Sequence, residues 1–208
     1  MKKTFFLILL LISFGVFGQN RFGQIAVTGG PTYSLLRGIH RVPFRDFDNK
    51  FDFTVGGQLN LDWAFLRRLS LGAGFTYQIH RLNIYDYQYE QNGQTFTENP
   101  TQTIYVSGGY GRVLIHPLQF FDFYDEKFDA YLGGQMHMIF FQTENNSGDP
   151  DFHQVSVGVN QVPGVVGGIR YYPTPFFGLY AEAGIPGPYT FSLGIAFRSA
   201  GRDRFFGK

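Results

Sequence analysis

Hydrophobic and polar residues alternate along most of this chain with a period of two, as they do in strands that present each face to a different environment. The clearest stretch is 189–197, where Tyr189, Phe191, Leu193, Ile195 and Phe197 alternate with Thr190, Ser192, Gly194 and Ala196. Residues 51–63 repeat the pattern, with Phe51, Phe53, Val55, Leu59, Leu61 and Trp63 against Asp52, Thr54, Gln58, Asn60 and Asp62. Six further segments fit the same template: 24–35, 69–80, 103–115, 128–142, 155–172 and 176–185. Eight strands are therefore expected.

The links between them alternate in length. Those at 64–68 and 173–175 are short, and those near 36–50, 81–102 and 143–154 are long. Short turns at one end and long loops at the other are typical of membrane barrels. The long link at 116–127 breaks the rule unless the fourth strand continues through Phe120 or Phe121. The loop 185–188 is short for the long-loop end.

Composition narrows the class. The 208 residues include 27 Gly, 25 Phe, 13 Tyr and one Trp, and only 16% are charged, against about 25% in ordinary domains. With no Cys, disulfide scaffolds, thiol catalysis and cysteine-bound zinc are excluded. A formal charge of +1 without a basic block lacks the electrostatic footprint of nucleic-acid binding. Lys2 and Lys3 before an apolar run at 5–12 and small residues up to Gly18 read as a signal peptide, residues 1–18. Its removal takes the charge from +1 to −1 and leaves residues 19–208 as one domain. No run after residue 18 is long and apolar enough for a membrane helix.

Alternation alone fits two orientations, a membrane barrel with its apolar face outside or a calyx with that face inside. The polar face separates them. A solvated surface carries many charges, whereas only Lys50, Lys127 and Lys208 follow the leader, and the polar parity is mostly Gly, Ser, Thr, Gln and Asn. Small residues suit the crowded lumen of an eight-stranded barrel, and closure pairs every backbone group, as hydrocarbon requires. The expectation is an all-β, eight-stranded antiparallel up-and-down transmembrane β-barrel. Trp63, Tyr171, Tyr172, Phe176, Phe177 and Phe197 would form an inner aromatic girdle. Tyr33, Tyr77, Tyr85, Tyr87, Phe140, Phe141 and Tyr189 would form an outer one.

The segments Val113-Leu-Ile-His-Pro-Leu-Gln-Phe120, Phe128-Asp-Ala-Tyr-Leu-Gly-Gly134 and Phe191-Ser-Leu-Gly-Ile-Ala-Phe197 resemble the small bacterial outer-membrane β-barrel family, the OmpA/OmpX-like and PorT-like barrels of Bacteroidetes. The resemblance implies a Gram-negative outer-membrane location and contact with membrane lipid. It also allows an accessory role in a secretion or uptake complex. Many such chains end on the aromatic residue of the last strand, whereas here residues 198–208 follow Phe197.

Candidate chemistry lies on the lumen parity: Asp62, Arg112, Gln135, His137, Arg170, Glu182 and Arg198. Charges in a narrow interior must pair, and Glu182 is expected to bridge Arg112, Arg170 or both, as the one well-buried acid near them. A packed plug is the reading carried forward, with a gated conduit for ions or a small solute as the alternative. Catalysis would need a nucleophile beside a base, and none is specified next to His137. A lipid-modifying or omptin-like barrel enzyme is the further alternative, its site assembled at the outer rim from His80 and His153 with Asp86, Asp149 or Asp151, for which the sequence defines no geometry. The acidic loop 144–151 is a weak Ca²⁺ candidate, read as a solvated loop. Arg37, His40, Arg41, Arg45 and Lys50 would contact lipopolysaccharide phosphates. The chain is expected to be a monomer, non-enzymatic and without a cofactor or nucleic-acid partner.

Overall fold

The computed structural model describes residues 23–34, 50–120, 127–149, 157–185 and 189–199. The leader, Arg37, His40, Arg41, Arg45, Asp151, His153 and the tail 200–208 lie outside the described residues, as do the side chains of 50–55.

Ten strands form: β1 (Ile25–Tyr33), β2 (Lys50–Leu66), β3 (Leu69–Asn83), β4 (Tyr87–Gln91), β5 (Gln94–Glu98), β6 (Thr101–Ile115), β7 (Phe128–Asn145), β8 (Val157–Tyr171), β9 (Phe177–Ile185) and β10 (Phe191–Arg198). Eight of them close into an antiparallel barrel in the order β1-β10-β9-β8-β7-β6-β3-β2, and β4 and β5 make a separate two-stranded sheet. That hairpin occupies the long link read from sequence as a loop. Its turn is Asn92-Gly93, both at positive φ (53° and 77°), the Asn-Gly pair that a two-residue hairpin turn favours.

Orientation follows from which parity is exposed. Leu193 is 62% exposed, Leu59 58% and Phe191 52%, while Ser192 is 2% and Asn60 1%. The greasy face points outward on the barrel strands with described side chains except β6, whose Ile104, Val106, Tyr110 and Leu114 face the lumen, so most of the exterior is an apolar belt of a kind suited to acyl chains. Trp63, Tyr171, Phe176, Phe177 and Phe197 ring its inner margin, and Tyr33, Tyr77, Tyr85 and Phe140 stand exposed towards the outer one.

Three expected girdle residues point inward instead. Tyr172 and Tyr189 are buried, and Phe141 falls on the lumen parity, against Gly158. Tyr172 directly follows the outward Tyr171, and consecutive strand residues face opposite ways. Tyr189 precedes β10 and folds over the lumen. The fourth barrel strand also stops sooner than expected. Pro117, which has no N–H to donate to a ladder, opens a 3-10 turn over Pro117–Phe120, and the His116 N–H caps Arg68 O at 2.9 Å.

Lumen glycines make room for large neighbours. A Cβ on Gly168 would lie 2.5 Å from Tyr131 Cζ, one on Gly74 2.6 Å from Tyr110 Cε2, and one on Gly178 2.7 Å from Tyr172 Cδ1. The interior is thus filled by rings seated over bare backbone.

The wall is uneven in height. β3, β6 and β8 have 15 residues and β7 has 18, whereas β1 and β9 have 9 and β10 has 8. A tilted membrane strand needs about 9–11 residues, so the short side just spans and the tall side projects beyond. Among the described residues β8 is paired with β9 up to Val165↔Ile185. The closing seam between β1 and β10 pairs Gly29↔Ile195 and Thr32↔Ser192, with no rung at Gly30 and Pro31 between them.

Candidate functional site

The lumen side chains are brought together by register. β7 places Asp129 opposite Arg170 of β8, β2 places Asp62 opposite Gly72 of β3, and β3 places that Gly72 opposite Arg112 of β6. Because Gly72 has no side chain, Arg112 reaches across it. Its Nε donates to Asp62 Oδ1 at 2.7 Å and its Nη2 to Asp62 Oδ2 at 2.6 Å, a bidentate pair. The third nitrogen, Nη1, donates to Glu182 Oε2 at 2.8 Å.

Glu182 is held by four donors. Besides Arg112 these are Tyr131 Oη at 2.7 Å, Tyr189 Oη at 2.5 Å and Gln58 Nε2 at 3.1 Å. Arg170 is not among them. Its register partner on β9 is Tyr180, while Glu182 faces Gly168, two rungs further out. Arg170 therefore donates to Asp62 Oδ2 and, at 3.2 Å, to Asp129 Oδ2, with its guanidinium 4.3 Å from the Tyr131 ring centroid. The expectation of Glu182 as the one well-buried acid near the two arginines is corrected, since Asp62 and Asp129 are equally buried. Alternation names both acids, but only the register shows which guanidinium each one meets.

His116, one of the five histidines of the sequence, is paired through both ring nitrogens. Its Nε2 lies 2.8 Å from Ser70 Oγ and its Nδ1 2.6 Å from Asp129 Oδ1, the spacing of a nucleophile, base and orienter. Ser70 is 1% exposed and His116 fully buried, and the other oxygen of Asp129 accepts from Arg170. Further out, the His137 ring lies 4.6 Å from the Tyr110 ring, tilted at 48°, and Tyr110 Oη donates to Asn60. Gln135 Oε1 accepts from Tyr189 at 3.5 Å. Arg198 sits at the inner mouth, over the Tyr172 ring at 4.0 Å and donating to Pro175 O at 2.8 Å.

The outer surface has a second ordered cluster. Residues 147–148 grip the β4–β5 hairpin through Glu98, which accepts from Ser147 Oγ and from the Gly148 N–H at 3.1 Å. Tyr87 Oη donates to Asp149 at 2.6 Å. Packing and then the Glu98 and Asp149 carboxylates push the Tyr89 phenol above its ordinary range. His80 is buried on the lumen parity, and the Asp86 N–H donates to Asn99 Oδ1 at 2.9 Å. Among the described residues no group of three His, Cys, Asp or Glu side chains is arranged to hold a metal ion.

No family model matches this chain, and no curated protein does. Among solved structures it is similar to Ail, the attachment invasion locus protein of Yersinia pestis, at 12% identity and a TM-score of 0.48, over 86% of this chain and 99% of that one. It is also similar to the N-terminal β-barrel domain of Pseudomonas aeruginosa OprF, at 13% identity and a TM-score of 0.41, over 86% and 100%. These likenesses are distant. The barrel and its orientation stand on this chain's own geometry.

Proposed function

We propose that this chain is a non-enzymatic β-barrel of a Gram-negative outer membrane, monomeric and closed by its own side chains, which anchors a tall wall and a latched hairpin at the cell surface. The carrying observation is the inversion of burial: large apolar side chains outside, an ion-paired network inside. Water would not tolerate such an exterior on a monomer, and hydrocarbon would not tolerate an open sheet edge. Three carboxylates and two guanidiniums cross-link β2, β6, β7, β8 and β9 at one level, leaving no clear bore for a hydrated ion.

Two measurements test this. Purified protein in a planar bilayer is expected to give no steady current, and sustained open channels would overturn the closed lumen. Detergent-folded protein is expected to migrate differently on a gel before and after heating, whereas a soluble calyx would not.

The Ser70–His116–Asp129 relay is read as a fastening of the inner mouth, joining β3, the 116–120 turn and β7. A catalytic serine needs a place for a reacting carbonyl beside its oxygen, and Ser70 is enclosed on the lumen side among Leu114 and Gly72. A serine-directed fluorophosphonate probe is expected to leave the folded protein unlabelled, and stoichiometric labelling lost in Ser70→Ala would establish an esterase-type site instead.

Lipopolysaccharide contact through Arg37, His40, Arg41, Arg45 and Lys50 rests on the basic residues of the first outer loop, and an accessory role in a secretion or uptake complex rests on the sequence resemblance. The projecting wall favours a surface-presenting role over a purely architectural one. Crosslinked pull-down from native membranes separates the two, because a stoichiometric partner is expected only of an accessory subunit.

A further inference from the structure

The face of the β4–β5 ribbon that latches onto 147–149 is covered at one end and open at the other. Tyr87, Tyr89, Phe96 and Glu98 share this face, with Tyr89 directly opposite Phe96. Their three rings stack, Tyr87 on Tyr89 at 6.1 Å and 26°, and Tyr89 on Phe96 at 5.4 Å and 21°. At the covered end Tyr87 Oη reaches Asp149, and a Cβ on Gly148 would lie 2.9 Å from Tyr89 Oη. Phe96, at the other end of the stack, is 40% exposed.

The surroundings of the stack are negative. Residues 82–111 include Asp86, Glu90 and Glu98 but no Lys, Arg or His, and residues 138–149 include Glu144 and Asp149 and again no base. Glu144 stands across Thr103 from Arg81 and belongs to the barrel rim, while the other four acids lie in the ribbon, beside it or against it. Glu98 is held by Ser147 Oγ and the Gly148 N–H, neutral donors that fix the carboxylate without cancelling its charge. The Tyr89 phenol registers the field, since after packing it is Glu98 and Asp149 that push it up.

We propose that this face docks an arginine-bearing polypeptide segment outside the cell, a guanidinium lying on the open Phe96 ring within the field of Glu98 and Asp149. Exposed rings alone would take many partners, and the charge selects among them. A planar, weakly hydrated guanidinium stacks on an aromatic ring while facing carboxylates, which a compact, strongly hydrated ammonium does less well. A sulfated or phosphorylated partner meets like charge from the same acids. The proposal deepens the surface-presenting reading and rests on the hairpin standing outside the cell. It does not depend on a closed lumen.

The absence of native cysteine allows the premise to be tested by itself. Thr95→Cys, exposed on the opposite face of the ribbon, is expected to react with a membrane-impermeant maleimide on intact cells. No reaction there would end the surface placement, whatever peptides do in vitro. In nanodiscs, calorimetric titration with a short Arg-Thr repeat peptide is expected to show saturable binding at physiological salt, at least about tenfold tighter than a Lys-Thr peptide of equal charge. Phe96→Ala is expected to erase that margin and Phe96→Trp, which keeps a ring, to retain it, a pattern that loss of the hairpin fold would not give. Equal affinity for the two peptides, or a margin indifferent to Phe96→Ala, would mean a diffuse acidic surface and overturns the proposal, as does no binding at all. Binding of a neutral oligosaccharide such as cellotetraose in place of the peptide, lost in Phe96→Ala, would make the face a glycan platform and overturns it equally.

Discussion

Asp62→Ala is expected to cost the barrel about 3–5 kcal/mol, the scale for removing one partner of a buried ion pair and stranding the other. Asp62 serves two guanidiniums, both oxygens for Arg112 and Oδ2 again for Arg170. Alanine leaves Arg112 with Glu182 alone and Arg170 with Asp129 alone, two guanidiniums each short of a carboxylate in a buried lumen. Glu182→Ala falls in the same range of about 3–5 kcal/mol but towards its lower end. Arg112 keeps its bidentate Asp62 contact, and the Tyr131 and Tyr189 hydroxyls lose a neutralisable acceptor only. Denaturant titration in lipid bilayers reads both effects. Trp63, the one tryptophan, faces the lipid side at 46% exposure and reports insertion by its emission. An Asp62→Ala variant within 1 kcal/mol of wild type would mean that the arginines are hydrated.

Leu193→Arg is expected to destabilise by about 2–4 kcal/mol, the cost of arginine on the lipid face near the midplane. Leu193 lies on β10 opposite Ala181 and points outward. The adjacent Ser192→Arg fails for a different reason. Ser192 is 2% exposed, shares a 2.7 Å hydrogen bond with Tyr180 Oη and donates to Pro31 O at 3.1 Å, so arginine there is opposed by volume. Lipid thickness separates the two. Thinner bilayers relieve Leu193→Arg and leave Ser192→Arg unchanged, and equal behaviour of both would contradict the assigned faces.

Much of this fold was legible because alternation in a barrel is a direct record of two environments. Leu59 and Leu193 on one parity and Asn60 and Ser192 on the other needed no tertiary information. The errors cluster where a local rule was not applied to the end. Tyr171 and Tyr172 are adjacent, so only one of them can join a girdle. His116-Pro117 marks the end of a strand, because proline removes a donor. The β4–β5 hairpin announces itself in Tyr87, Tyr89, Asn92-Gly93 and Phe96, a turn pair between alternating aromatics, but it is short and stands outside the period of the barrel strands.

The polar network was legible only as an inventory. Which acid meets which base depends on strand register across the sheet, and a two-rung offset on β9 decides that Arg170 meets Asp129 and Asp62 instead of Glu182. His116 lies beyond a strand end, where parity no longer speaks, and its pairing with Ser70 and Asp129 joins residues far apart in sequence.

The seam between β1 and β10 bears on how the molecule comes to be made. Every other barrel contact joins strands that follow one another along the wall, so it can form soon after its segments emerge, whereas Ala26 must find Arg198 across nearly the whole polypeptide. That is the largest loop-closure entropy in the topology, and it falls on the two-rung gap at Gly30 and Pro31, where the ladder offers the fewest bonds in return. Completion of the cylinder is therefore the slow, late event of biogenesis. Until it happens the nascent sheet has two free margins, which is the interval in which a chaperone or insertase has something to hold.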